Sequence, residues 1–183
     1  MKTESTNKLE RSSSIQFFLA YGNVGEDVIA CLSIGVTWSG FIGNYTSGFL
    51  PGNRQLLPED VTGKAPPDAT VMSMYVASYS FLRMALWESL SFLNNPGVQG
   101  KPLYITGIAL GGQLAQIAAM DFRPGNKGPS QQDPPQLTQP YSYVFSTGNF
   151  ASTAFQQYYN DKVQNAYNLR AGSQALRVDQ FPD

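Results

Sequence analysis

The hydrophobic positions of this chain fall into short runs and one long stripe. Ile15 to Tyr21 and Val28 to Val36 are apolar, partly β-branched, and bounded by Gly22, Asn23, Gly25 and Gly35, which predicts two strands. The second does not alternate, so it is expected to be buried on both faces. From Ser73 to Asn94 the apolar residues Tyr75, Tyr79, Leu82, Leu86, Leu90 and Leu93 recur at spacings of three and four, which puts them on one side of a helix as core packing. Asn94-Asn95-Pro96-Gly97 stops that helix. Pro102 to Thr106 predicts a short strand turned by Gly107. Leu110 to Phe122 predicts a helix ended by Pro124, and Tyr141 to Thr147 a further strand. Ser152 to Asn160 predicts a helix with Ser152 as its N-cap, and Ala166 to Arg170 a last strand. Gly40 to Pro67 is rich in Gly and Pro and is expected to connect, with a short helix near Phe41 to Ser47. Arg123 to Pro140 is expected to be a long loop, mobile or an interaction segment. There is no internal repeat. Strands alternating with helices predict an α/β fold: one domain over residues 15–183 with a mainly parallel sheet flanked on both faces by helices, preceded by a flexible polar tail over residues 1–14.

Composition narrows the chemistry. Of 183 residues, 42% are apolar and only 14% charged, against about 25% in a typical domain. With aromatics at 13%, intrinsic disorder is excluded. Twelve basic and thirteen acidic residues leave a net charge of -1, so there is no footprint for nucleic acid and no polybasic run for an anionic membrane. Histidine is absent, which removes imidazole as a general base and as a metal ligand. A single cysteine excludes an internal disulfide and a cysteine zinc site; Cys31 is expected to be a buried thiol inside its apolar run. No cofactor or metal is called for. Met1 to Ser14 has no apolar core of a secretory signal, and the apolar-rich stretch Ala69 to Leu93 contains Arg83 and Glu88, so no integral membrane segment is expected and the expected location is cytoplasmic.

The chemistry concentrates on Thr106-Gly107-Ile108-Ala109-Leu110-Gly111-Gly112-Gln113-Leu114-Ala115. A strand enters a Gly-x-x-x-Gly turn and leaves as a helix, the layout of a nucleophile elbow. There the central residue sits at a strained turn and small flanking residues let the chain pack closely against it. This segment resembles the elbow of the class 3 (fungal-type) lipases of the α/β-hydrolase fold, T-G-H-S-L-G-G-A-L-A. The resemblance runs in order from about Ile29 onward. Ile34-Gly35-Val36 falls on R-G-T. Val71-Met72-Ser73-Met74-Tyr75 to Tyr79 falls on V-H-x-G-F-x-x-A-Y, Val144 to Phe150 falls on T-F-G-x-P-R-V, and Phe155 on the aromatic that follows.

The departures decide what the resemblance implies. Ala109 occupies the nucleophile position, and its methyl group has no lone pair to attack an ester. Ile108 replaces the histidine before it, Met72 the histidine that opens the long helix, and Gln174 or Leu176 the catalytic acid, with Asp179 several residues out of register. A replaced serine alone does not account for the absence of every histidine, and a missing catalytic histidine alone does not account for Ala109. The resemblance therefore implies a catalytically inactive, lipase-like protein binding a protein partner or an apolar ligand. The alternative is an active esterase or lipase using residues outside the motif or outside this chain. Val36, Met72, Ile108, Ala109 and Leu110 meet at the family's active site. There they form either an apolar, lipid-accepting pocket or a filled-in core, because the lost polar groups no longer need partners. The resemblance implies the backbone N–H groups of Leu110 and Val36 as remaining oxyanion donors. Elsewhere, Asp121 is expected to be a solvated charge, Glu59-Asp60 a turn feature, and Tyr158-Tyr159 a packed and half-exposed pair. Ser12 to Ser14 and Ser146 have no base to activate them.

Overall fold

The computed structural model describes residues 15–24, 27–36, 53–91, 100–129, 140–145, 150–171 and 176–179. The predicted tail, the helix near Phe41 to Ser47 and most of the long loop after Gly128 lie outside these residues. Six strands form one sheet in the order β1-β2-β5-β6-β7-β8: β1 Ile15–Val24, β2 Asp27–Val36, β5 Leu103–Ile108, β6 Tyr141–Phe145, β7 Asn165–Ala171 and β8 Leu176–Asp179. The four central strands are parallel, with Leu32, Ile105, Ser142 and Ala166 in one row. Both edges are antiparallel: β1 pairs with β2 from Ile15↔Val36 onward, and β8 pairs with β7 from Ala171↔Leu176. The edge strand β8 has no counterpart in the expected element list. The rest is the mainly parallel, helix-flanked sheet that the alternation of elements predicts, although the described helices flank one face of it, where helices on both were expected.

Burial alternates along β2, β5 and β6. Ala30, Leu32, Ile34, Leu103, Ile105 and Val144 are buried on one face of the sheet, while Cys31, Ser33, Tyr104, Thr106 and Tyr143 on the other are half-buried. This corrects the expectation that β2 is covered on both sides and that Cys31 is a buried thiol. Partial burial still pushes the thiol above its ordinary pKa. The reason lies in the layers: among the described residues, the helices pack on the Ala30–Ile105–Val144 side.

Three helices build that layer around a central one. Helix α3, Leu110–Asp121, is buried at every position from Gly111 to Asp121, because the sheet lies on one side and α2, Ser73–Ser91, on the other. The predicted stripe of α2 is the buried one: Tyr75, Tyr79, Leu82, Leu86 and Leu90 are each at most 5% exposed. Helix α4, Thr153–Lys162, starts where Ser152 predicts, with its hydroxyl accepting from Phe155 N at 3.1 Å. Its pair of tyrosines divides as expected, Tyr159 buried and Tyr158 half-exposed. The expected connector contains structure: a hairpin of β3, Arg54–Leu56, and β4, Thr70–Met72, with the one-turn helix α1, Glu59–Thr62, between them. Its three-residue strands are too short to leave a periodic signal.

Asp121 is fully buried, not solvated. Its carboxylate accepts from Tyr79 OH at 2.8 Å, Arg83 Nε at 2.8 Å and Nη2 at 2.9 Å, and Trp87 Nε1 at 2.8 Å. Arg83 also pairs with the Asp60 carboxylate and donates to the carbonyls of Asp60 and Lys127. Glu59-Asp60 thus opens α1 and helps anchor it to α2 and α3, rather than simply making a turn. Burial by itself would lower the Arg83 pKa, but hydrogen bonds and charge from Asp121 and Asp60 outweigh it and hold the guanidinium protonated. Nearby, Arg123 donates to Thr62 O at 2.7 Å and Asn126 to Val61 O at 2.8 Å, closing the same corner.

Removing one partner of a buried, hydrogen-bonded pair leaves an uncompensated charge. Asp121→Ala is expected to cost about 3–5 kcal/mol of unfolding free energy. Asp60→Ala, at a half-exposed site, is expected to cost about 1 kcal/mol. Urea unfolding of the two variants checks the ranking.

Candidate functional site

Strand β5 ends at Ile108, Ala109 makes the turn, and α3 begins at Leu110. Ala109 has φ 48° and ψ −116°, and it is the one non-glycine residue with positive φ among the described residues. An L-side chain is strained there. Neighbouring hydrogen bonds over-determine the turn: Ala109 N donates to Phe145 O at 2.8 Å, and Ala109 O accepts from Gln113 N at 3.2 Å. The flanking glycines are there for space. A Cβ on Gly107 would collide with the Gly111 carbonyl, and a Cβ on Gly111 with the Ile34 carbonyl. Helix α3 can therefore start directly over β2 and β5 only because both positions lack side chains.

The arrangement has an elbow's geometry and an open mouth. Ile108 is 64% exposed and Phe145, opposite it on β6, 37% exposed; Ala109 is exposed and Leu110 half-buried. Among the described residues, Ile108 and Ala109 are left open to solvent. Val36 ends β2 one strand away, half-buried, and Gly111 packs against Ile34 and Gly35 immediately before it. Met72 is placed differently. It stands on the β3–β4 hairpin opposite Arg54, and its amide donates to Phe150 O at 2.9 Å. Of the positions considered for the acid, Gln174 and its neighbours lie outside the described residues. Leu176 pairs with Ala171 at the carboxyl end of β7, and Asp179 lies three residues lower, opposite Asn168. Ser146 is also outside the described residues. A cavity of about 360 Å³ lies elsewhere, lined by Leu56, Leu57, Glu59, Thr62 and Gly63 to Ala65. Thr62 belongs to the corner bonded by Arg123, at the far end of α3 from Ala109, roughly 18 Å for a helix of this length.

The residues that sequence reasoning missed are those of the Asp121 corner. Tyr79, Arg83 and Trp87 are four apart on α2 and each carries a donor, a stripe that was open to being read as facing a buried acceptor.

The chain is similar in architecture to solved structures of lipases. The M37 lipase superimposes on 85% of this chain with a TM-score of 0.64 at 11% identity. A fungal lipase does so over 97% with 0.62 at 13%, and the Lip2 lipase of Yarrowia lipolytica over 83% with 0.57 at 14%. The chain has a lipase-like α/β-hydrolase fold. It spans about half of the M37 and Lip2 lipase chains (47% and 48%) and 67% of the fungal lipase. Neither a scan against protein-family models nor a search of curated proteins gives a match. In this lipase-like fold the elbow is present with an alanine at its apex.

Two substitutions test the elbow's backbone. Ala109→Gly releases strain of about 1–3 kcal/mol at a cost of about 0.5–1 kcal/mol in chain entropy, so a net stabilisation of about 1 kcal/mol is expected. Gly111→Ala forces helix and strand apart and is expected to destabilise by about 1–3 kcal/mol or more. Thermal unfolding of both variants reads the two signs.

Proposed function

We propose that the chain is a catalytically inactive, class 3 lipase-like protein that binds an apolar, acyl-type ligand at the elbow mouth. The observation that carries this reading is Ala109. The strained turn that holds a nucleophile in a working elbow is kept, with φ 48°, while the side chain at its apex is a methyl group. No histidine exists in the sequence to serve as base, and oxyanion donors such as Leu110 N–H cannot replace attack and proton transfer. The exposed Ile108 and Phe145 at the mouth supply apolar surface and few polar groups to orient anything else, which favours an acyl chain. Val36 and Leu110 extend that surface; only the resemblance adds Met72 to it, from the β3–β4 hairpin.

The purified chain is expected to hydrolyse nitrophenyl esters of any chain length no faster than buffer, and Ala109→Ser alone to add little, because serine without a base is a weak nucleophile. Saturable hydrolysis by the wild type would overturn the inactive reading in favour of an esterase.

Binding has its own readout. A fatty acid at 100 times its dissociation constant is expected to stabilise the fold by about 2.7 kcal/mol. That is a melting shift of several degrees in a domain of this size. The shift is expected to vanish in Ala109→Phe, which fills the mouth. Absence of a shift with every fatty acid and acyl ester removes the lipid reading.

A further inference from the structure

The cavity beside α1 stands apart from the elbow and serves none of the roles argued so far. At about 360 Å³ it falls within the ~300–1,000 Å³ of small-molecule sites. Its lining comes from one short stretch of chain, Leu56 to Ala65. Leu57, which is buried, Ala65, half-buried, and Leu56, 46% exposed, supply apolar surface. Two charges of opposite sign line it as well. Glu59 and Lys64 are both exposed, and neither is in an ion pair among the described residues. The walls are preformed. Gly63 N donates to Glu59 O at 2.6 Å and Ala65 N to Gly63 O at 2.9 Å, and the φ of 74° at Gly63 turns the chain between the two charged residues. Arg123 and Tyr158 donate to Thr62 O at 2.7 and 2.8 Å, and Asn126 to Val61 O at 2.8 Å, so three side chains distant in sequence hold this one turn in place.

We propose that this cavity binds a zwitterion that carries an ammonium group and a carboxylate at opposite ends of an apolar chain. The ammonium pairs with Glu59, the carboxylate with Lys64, and the chain lies against Leu56, Leu57 and Ala65. The charges select the ligand. A purely apolar molecule gains nothing from them, and a simple cation or anion is attracted by one and repelled by the other. Glu59 and Lys64 do not pair with each other, so the ligand's charges must also be separated, which disfavours an α-amino acid, whose two charges share one carbon. The middle of the ligand needs no polar group. The Thr62 hydroxyl, the neutral polar side chain of the lining, is already 3.0 Å from Gly63 O and 3.3 Å from Pro58 O. A free ω-amino acid meets these demands, and so does a peptide ending in lysine, whose terminal carboxylate and side-chain ammonium form the same pair. Preformed walls lower the ordering cost of binding. The proposal is independent of ligand binding at the elbow.

The test is titration of the full chain with ε-aminocaproic acid, followed by backbone amide NMR shifts. The wild type is expected to show saturable shifts at Gly63, Lys64 and Ala65. Hexylamine and hexanoic acid each keep one charged end, and at these amides they are expected to bind about fivefold more weakly, the upper worth of one exposed charge pair. Glu59→Lys and Lys64→Glu are each expected to weaken ε-aminocaproic acid by at least as much. The double variant, which exchanges the two charges, is expected to regain the affinity with the ligand reversed. Both side chains are exposed, so the variants keep the fold, which the dispersion of their spectra checks. A peptide ending in lysine that matches ε-aminocaproic acid assigns the site to chain ends; one that does not assigns it to free ω-amino acids. No saturable shift in the wild type, equal binding of hexylamine or hexanoic acid, or a double variant no better than the single ones overturns the site.

Discussion

The close crossing of α3 over β2 and β5 is the constraint on which the rest of the structure depends. Gly107 and Gly111 allow backbone to lie on backbone: a Cβ at either would meet a main-chain carbonyl that has no way to move aside. Once the helix begins that close to the sheet, its whole length is sandwiched, and every residue from Gly111 to Asp121 is buried. A helix buried on all sides is mostly apolar or small, as Leu114, Ala115, Ile117, Ala118, Ala119 and Met120 are, and Gln113, Gln116 and Asp121 are buried among them. The turn that precedes it has no freedom left, which is how Ala109 is held at a positive φ that alanine does not favour.

The opposite end of α3 is fixed by polarity instead of contact. Asp121 is the last helical residue, fully buried, and four donors from Tyr79, Arg83 and Trp87 converge on its carboxylate. Such a group is costly to desolvate and tolerable only when every lone pair is used. Arg83 passes the same fixation on to Asp60 and Lys127, and Arg123 and Asn126 bind the carbonyls of α1. The central helix is thus clamped by steric fit at the elbow and by a charge network at its far end, and α1, α2 and the β3–β4 hairpin are arranged around it.

Fold and chemistry separate at the elbow. Backbone requirements are met by glycines and by main-chain hydrogen bonds from Ala109 N to Phe145 O and from Gln113 N to Ala109 O, none of which needs the side chain at the apex. A methyl group there changes the reactivity of the site without disturbing what positions it. This is why a lipase-like architecture is found at 11–14% identity to lipases of known structure, and why that likeness by itself says nothing of catalysis.

The sequence alone determined the elements with strong period or strong caps. The stripe of α2, Ser152 at the start of α4, the strand-turn-helix at Gly107 to Gly111 and the α/β layering were legible because each is a local demand of backbone geometry or of one buried face. It also determined that alanine, not serine, stands at the apex of the elbow. Only the tertiary structure decided the rest. The β3–β4 hairpin and β8 are too short for periodicity, and their strands are specified by the partners they pair with. Asp121 reads as a surface charge until α2 is laid beside it, since its donors are 34 to 42 residues away. Cys31 and its apolar run read as fully buried until the helices are placed. The described helices lie on one side of the sheet, so alternate residues of the same run face the core and the opposite side of the sheet. Burial is a property of what covers a strand, and a strand's own residues do not carry that information.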